Sequence, residues 1–211
     1  MCLLCRKEYD KKTTKISCCT SVTKIPFLPN LTFLYCKLTN ITEIPFFPNL
    51  TSLNCSFSDI AEIPLLPNLT KLICSYTDNI TEIPLLPNLI ELTCSNTKIT
   101  EIPLLSNLTV LNCSWTKITE IPFLPNLTYL NCSYTKISEL PKISNCHMYY
   151  NNCHWLKKWY EDNGNLKDFM ILEDKIIFLQ KQYQKKKWNK IQKKIPLIRD
   201  IRNIIKVNMN L

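Results

Sequence analysis

Twelve cysteines and two histidines are the residues of this 211-residue chain whose types could do chemistry. Thiolates and imidazoles bind zinc or exchange electrons when they converge, and a C-x-x-C spacing is the usual sign. Cys2 and Cys5 have that spacing, and an adjacent pair, Cys18 and Cys19, follows them. Cys146, His147, Cys153 and His154 form a second group. The remaining cysteines stand at even intervals: Cys36, Cys55, Cys74, Cys94, Cys113 and Cys132. No acid–base pair, nucleophile triad or metal quartet stands out, so no catalytic residue is assigned and no enzyme is expected. The chain has one glycine, Gly164, which excludes the Gly-rich loops that cradle phosphates or dinucleotides.

The even cysteines belong to a repeat. Segments beginning at Leu31, Leu50, Leu69, Leu89, Leu108 and Leu127 share the frame L-x-x-L-x-C-S-x-T-x-I-x-x-I-P-x-L-P-N, with a period of 19 or 20 residues. A degenerate copy begins near Lys15. One such unit cannot bury its own apolar face, whereas stacked units share a continuous core. Inside each unit the two leucines, the cysteine and the two isoleucines are expected to point inward. Neighbouring rungs of a parallel sheet lie about 4.8 Å apart, so the thiols should form a buried stripe, with Cys18 as its first member. The two prolines of I-P-x-L-P fix φ and disfavour helix, which leaves an extended or polyproline-like back.

The frame resembles the leucine-rich repeat, with cysteine at the third leucine position and Thr or Ser where that family has Asn. It looks most like the short LP-containing repeats of bacterial effector proteins. The resemblance covers residues 13–156 and implies a horseshoe solenoid of short parallel strands, an α/β-type repeat fold whose concave face binds proteins. The expected organisation is an N-terminal cap over 1–14, about seven repeats over 15–143, a C-terminal cap over 144–164 and a basic amphipathic helical tail over 165–211. Asn30, Asn49, Asn68, Asn88, Asn107 and Asn126 are expected to cap neighbouring turns through their amides. Thr39, Ser58, Thr77, Thr97, Thr116 and Thr135 should hydrogen-bond in the same manner.

Between the inward residues the positions vary, as a binding surface can. The second residue after the repeat cysteine is large and apolar or aromatic in five of six repeats: Leu38, Phe57, Tyr76, Trp115 and Tyr134, with Asn96 the exception. Exposed stacked aromatics anchor interfaces, but the same side chains could merely shield the edge of the core. Phe33, Tyr35, Phe57, Tyr76, Trp115, Tyr129 and Tyr134 are the expected contact residues of a concave protein-binding face. Residues 13–143 hold eight Lys against nine Asp or Glu, so this face has no field to recruit nucleic acid.

The ends read differently. An adjacent Cys18–Cys19 pair suits a tetrahedral metal poorly and Cys18 fits the ladder, so the front is read as an apolar cap and no metal ligand is assigned. Zinc at Cys2 and Cys5, or at Cys146, His147, Cys153 and His154, stays open. Cys153 is read as the ladder cysteine of a last, irregular rung. Residues 144–211 hold 14 Lys or Arg against six acids, nearly all of the chain's +9 charge. The segment Phe178–Lys190 resembles an IQ motif at Leu179 and Gln180. The resemblance implies a calmodulin-like partner, and the lysines Lys181, Lys185, Lys186, Lys187, Lys190, Lys193 and Lys194 alternatively suit nucleic acid or an anionic membrane. The Cys-bearing repeats, the C-x-W-L at Cys153 to Leu156 and the basic L-Q helix together resemble leucine-rich repeat proteins of giant DNA viruses of the mimivirus group. No cofactor is implied. With no secretory segment or membrane span in view, an intracellular protein of the host cytoplasm is expected rather than a secreted one, its cysteines reduced. The recurring N-x-S/T triplets are accordingly read as a by-product of the repeat.

Overall fold

A computed structural model describes residues 2–138, 146–151 and 153. Eight three-residue strands line up in chain order as one parallel sheet: β1 (Lys15–Ser17), β2 (Phe33–Tyr35), β3 (Ser52–Asn54), β4 (Lys71–Ile73), β5 (Glu91–Thr93), β6 (Val110–Asn112), β7 (Tyr129–Asn131) and β8 (His147–Tyr149). A one-turn helix, α1 (Leu3–Arg6), precedes them. The degenerate copy near Lys15 is therefore a true rung, and an eighth strand forms inside the stretch expected to be cap. The amphipathic tail, its IQ-like segment and its seven lysines lie outside the described residues.

Register explains why the period is strict. Each strand is an x-Leu-x triplet, and each central residue pairs with the next: Ile16, Leu34, Leu53, Leu72, Leu92, Leu111, Leu130 and Met148 in one row. A period-2 strand can turn only that one residue inward. The rest of the core comes from the flanks. In the repeats that begin at Leu31, Leu50, Leu69 and Leu89 the first leucine, the cysteine and the two isoleucines are buried, as expected, in one continuous cluster. In the repeat that begins at Leu108 the second isoleucine, Ile121, is only partly buried. The back carries no helix among the described residues, in keeping with its prolines. No described helix is long and apolar enough to cross a membrane.

Polar groups inside this stack are paired by type and position. The expected threonine bonds form, but within a rung: Thr39, Thr97 and Thr135 donate to the carbonyls of Cys36, Cys94 and Cys132, each at 2.7 Å. Ser58, Thr77 and Thr116 do the same to Cys55, Cys74 and Cys113. A short hydroxyl reaches a carbonyl three residues back without leaving the core, so Thr and Ser suit the site. The asparagines bridge rungs instead: Asn49 Nδ2 donates to the Pro29 carbonyl at 2.9 Å and Asn68 Nδ2 to Pro48 at 2.8 Å, a pattern that continues to Asn126. Cysteine 153 is a correction. Tyr150, two residues beyond Met148, stands at the ladder height, and Cys153 takes the threonine place. Its thiol lies 3.9 Å from that of Cys132, so the stripe still closes on sulfur.

Thr77→Val keeps the shape and deletes the donor to the buried Cys74 carbonyl, at an expected cost of about 1–3 kcal/mol. Urea unfolding measures it, and a change below about 0.3 kcal/mol would contradict the pairing scheme.

Candidate functional site

The expected contact residues fall into two groups. Phe33, Tyr35 and Tyr129 lie on strands and look outward from the sheet. Phe57, Tyr76, Trp115 and Tyr134 do not share that face: they occupy the turn that closes each strand, on the edge of the sheet. Their backbone explains the difference. Leu38, Phe57, Tyr76, Asn96, Trp115 and Tyr134 all have φ between 53° and 60°, in the left-handed region. Glycine adopts this region freely, and bulky side chains pay about 1–2 kcal/mol there.

Two local features hold the chain in this conformation. Asn54, Asn112 and Asn131 accept, through Oδ1, the backbone N–H two residues on, at 3.1–3.2 Å, which starts the turn. The left-handed residue then aims its own N–H at the next rung: Phe57 donates to the Ser75 carbonyl at 3.0 Å and Trp115 to Ser133 at 2.9 Å. The cysteine before it does likewise, Cys55 N–H to the Ile73 carbonyl at 2.8 Å. Hydrogen bonding between rungs thus runs well past the three-residue strand.

Along this edge the aromatic rings stack. Phe57 and Tyr76 lie 4.4 Å apart, tilted by 8°, and Trp115 and Tyr134 lie 3.9 Å apart, tilted by 11°. Asn96 separates the pairs. Lys37 Nζ sits 5.4 Å from the Phe57 ring centroid, a cation–π contact. Each ring keeps two-fifths or more of its surface exposed, Trp115 57%. Shielding of the core does not account for that exposure.

The strand face is mixed. Lys71 and Glu91, directly paired in register, form an ion pair at its middle. At the far end Tyr129 meets His147 and Tyr149, at 6.3 and 5.7 Å between centroids; neither partner was among the contact residues read from the sequence, because β8 departs from the repeat frame. Phe33 and Tyr35, on β2, stand apart from this trio. A further apolar column was legible as the x of I-P-x-L-P: Phe27, Phe46, Leu65, Leu85, Leu104 and Phe123 are each more than half exposed along the back. A groove of about 1040 Å³ follows the Asn and Thr columns from Lys12 to Asn126. Its amides and hydroxyls already donate to neighbouring carbonyls, as Thr51 does to Thr32 and Asn88 to Pro67, so the groove is a by-product of two structural ladders.

The thiols also divide. Ladder cysteines are inert packing: burial pushes Cys55 and Cys94 up to about 12, and Cys74 and Cys113 well above the ordinary thiol value. Cys18 sits at ladder height, its N–H donating to the Tyr35 carbonyl at 2.7 Å as Cys36 donates to Asn54. Cys19 faces Cys5 instead, 3.3 Å between sulfurs. The Cys2 backbone N–H, the Cys5 thiol and the Ser21 N–H donate to it and bring it down to about 6. Among the described residues, Cys2, Cys5 and Cys19 are the one set of three metal-ligand atoms lying close together, and Cys146, His147 and Cys153 do not join in such a set. His154 lies outside the described residues.

Residues 87–125 and 106–145 each match the model of the Leucine Rich repeats family. Over those residues the sequence carries the leucine-rich repeat pattern. Among solved structures the chain is similar to YopM from Yersinia enterocolitica WA-314, with 31% identity over 60% of this chain and 30% of that one, at a TM-score of 0.54. It is also similar to the functional domain of InlJ from Listeria monocytogenes, which includes a cysteine ladder, with 23% identity over 68% of this chain and 45% of that one, at a TM-score of 0.51. The latter is a likeness of fold alone. The chain therefore spans less than half the length of either leucine-rich repeat structure. No curated protein matches the sequence.

In the metal-free native chain, alkylation at neutral pH should label Cys19 first and leave Cys55, Cys74, Cys94 and Cys113 unlabelled until denaturant is added. Peptide mass spectrometry reads this out, and ladder labelling at the rate of Cys19 would contradict the buried stripe.

Proposed function

We propose that this chain is a non-enzymatic scaffold that binds another protein along the aromatic edge and the adjoining strand face of its repeat solenoid. The observation that carries the reading is an aromatic or large apolar residue, rather than glycine, at five of six left-handed turns. An unfavourable backbone state held by an exposed side chain points to a use outside the core. Stacked pairs such as Trp115–Tyr134 present rigid, flat area at little entropic cost, the property of interface anchors. The repeat fold supports a protein partner in general, since extended solenoid surfaces are suited to one.

The test uses the full chain as bait against cell lysate. Tyr76→Ala with Trp115→Ala should weaken capture of the partner by tenfold or more, with the circular dichroism spectrum unchanged. Phe33→Ala with Tyr129→Ala, on the strand face, should weaken it less. Capture unaffected by the first pair and abolished by the second would move the site off the aromatic edge.

A further inference from the structure

The front end holds chemistry that protein binding leaves unused. Cys2, the residue before α1, and Cys5 within it are three apart, and their sulfurs lie side by side. Cys19 arrives from the loop after β1. The adjacent pair expected to spoil the geometry is split: Cys18 goes to the ladder, so only Cys19 joins the cluster. Sulfur separations are 3.7 Å for Cys2–Cys5 and 3.3 Å for Cys5–Cys19, and all three atoms lie within 4.8 Å of one another. A tetrahedral ion with metal–sulfur bonds of about 2.3 Å holds its sulfurs about 3.8 Å apart. All three are free thiols, half-buried.

A second observation concerns α1 itself. It has four residues, none of them fully buried, and its first residue has no side-chain cap. A helix of that length does not persist by its own hydrogen bonds. Yet it lies beside β1, where the solenoid would otherwise end with an open edge. Partly buried Leu3 and Leu4 pack it against the core, and an ion bridging α1 and the β1 loop adds a second tie, as structural zinc does in small domains.

We propose that Cys2, Cys5 and Cys19 bind one zinc ion through three thiolates, with the fourth corner open to water or an external thiol, and that this ion fastens α1 over the first rung. Three soft sulfur donors select a borderline-soft ion such as zinc over magnesium or calcium. On binding, the thiols give up their protons to solvent.

Cobalt(II) titration of the full chain under a non-thiol reductant tests this, with zinc added afterwards. One equivalent of cobalt should develop the intense visible bands of tetrahedral thiolate coordination, and one equivalent of zinc should erase them. Cys5→Ser and Cys19→Ser should each lose the bands, and Cys146→Ser should keep them. Absence of saturable one-to-one binding, or bands that survive Cys5→Ser, would overturn the proposal. Should the serine variants fail to fold, alkylation of the unmutated chain decides: zinc must protect Cys2, Cys5 and Cys19, and unprotected labelling of all three would overturn it.

Discussion

Each rung can bury its apolar side chains only against another rung set at the same height, and this lateral register is the constraint on which the rest of the molecule depends. A three-residue strand offers one inward residue, far too little to fold alone. Paired in line, Leu34, Leu53, Leu72, Leu92, Leu111 and Leu130 become one column, with columns of Leu, Cys and Ile on either side. The backbone enforces the same alignment twice more, through the cysteine N–H and through the N–H of the turn residue that follows. Cysteine suits its column because it is small, apolar when protonated, and able to donate weakly to the next rung, as Cys36 Sγ does to the Asn54 carbonyl at 3.4 Å.

The left-handed turn is where structure meets function. It must lie between the buried cysteine and the buried threonine, because the Thr hydroxyl reaches back three residues to the cysteine carbonyl and closes the loop. That closure puts the intervening side chain outside. Glycine would serve the backbone best there, and the chain has none at these positions. What stands there instead forms stacked rings along the sheet edge, and the strain is offset by cross-rung bonds that recur at every level. Rigidity of the stack and accessibility of the rings therefore have one cause.

Much of this was legible in the residues. Periodicity alone located the strands, the inward columns, the role of Cys18 and the helix-free back, because each follows from counting positions in a repeated unit. Less legible was anything depending on φ: positive values are read from glycine, and here the signal was Asn two residues before the turn, present in only some rungs. The split of Cys18 from Cys19 was hidden for another reason, since adjacent side chains leave a strand end on opposite sides and only one can follow the ladder. At the far end Tyr150 stands where Cys153 was expected because β8 keeps the register while departing from the frame. His147 and Tyr149 joined Tyr129 for the same reason.

Amide hydrogen exchange, resolved residue by residue, tests the central claim most directly. If rungs are locked together through the turn as well as the strand, the N–H groups of Cys55, Phe57, Cys74, Tyr76, Cys113 and Trp115 will exchange as slowly as those inside the strands, and will lose protection together with them on unfolding. Fast exchange at Phe57, Tyr76 and Trp115 beside protected strands would show turns that hang loose from the stack, and would contradict the account.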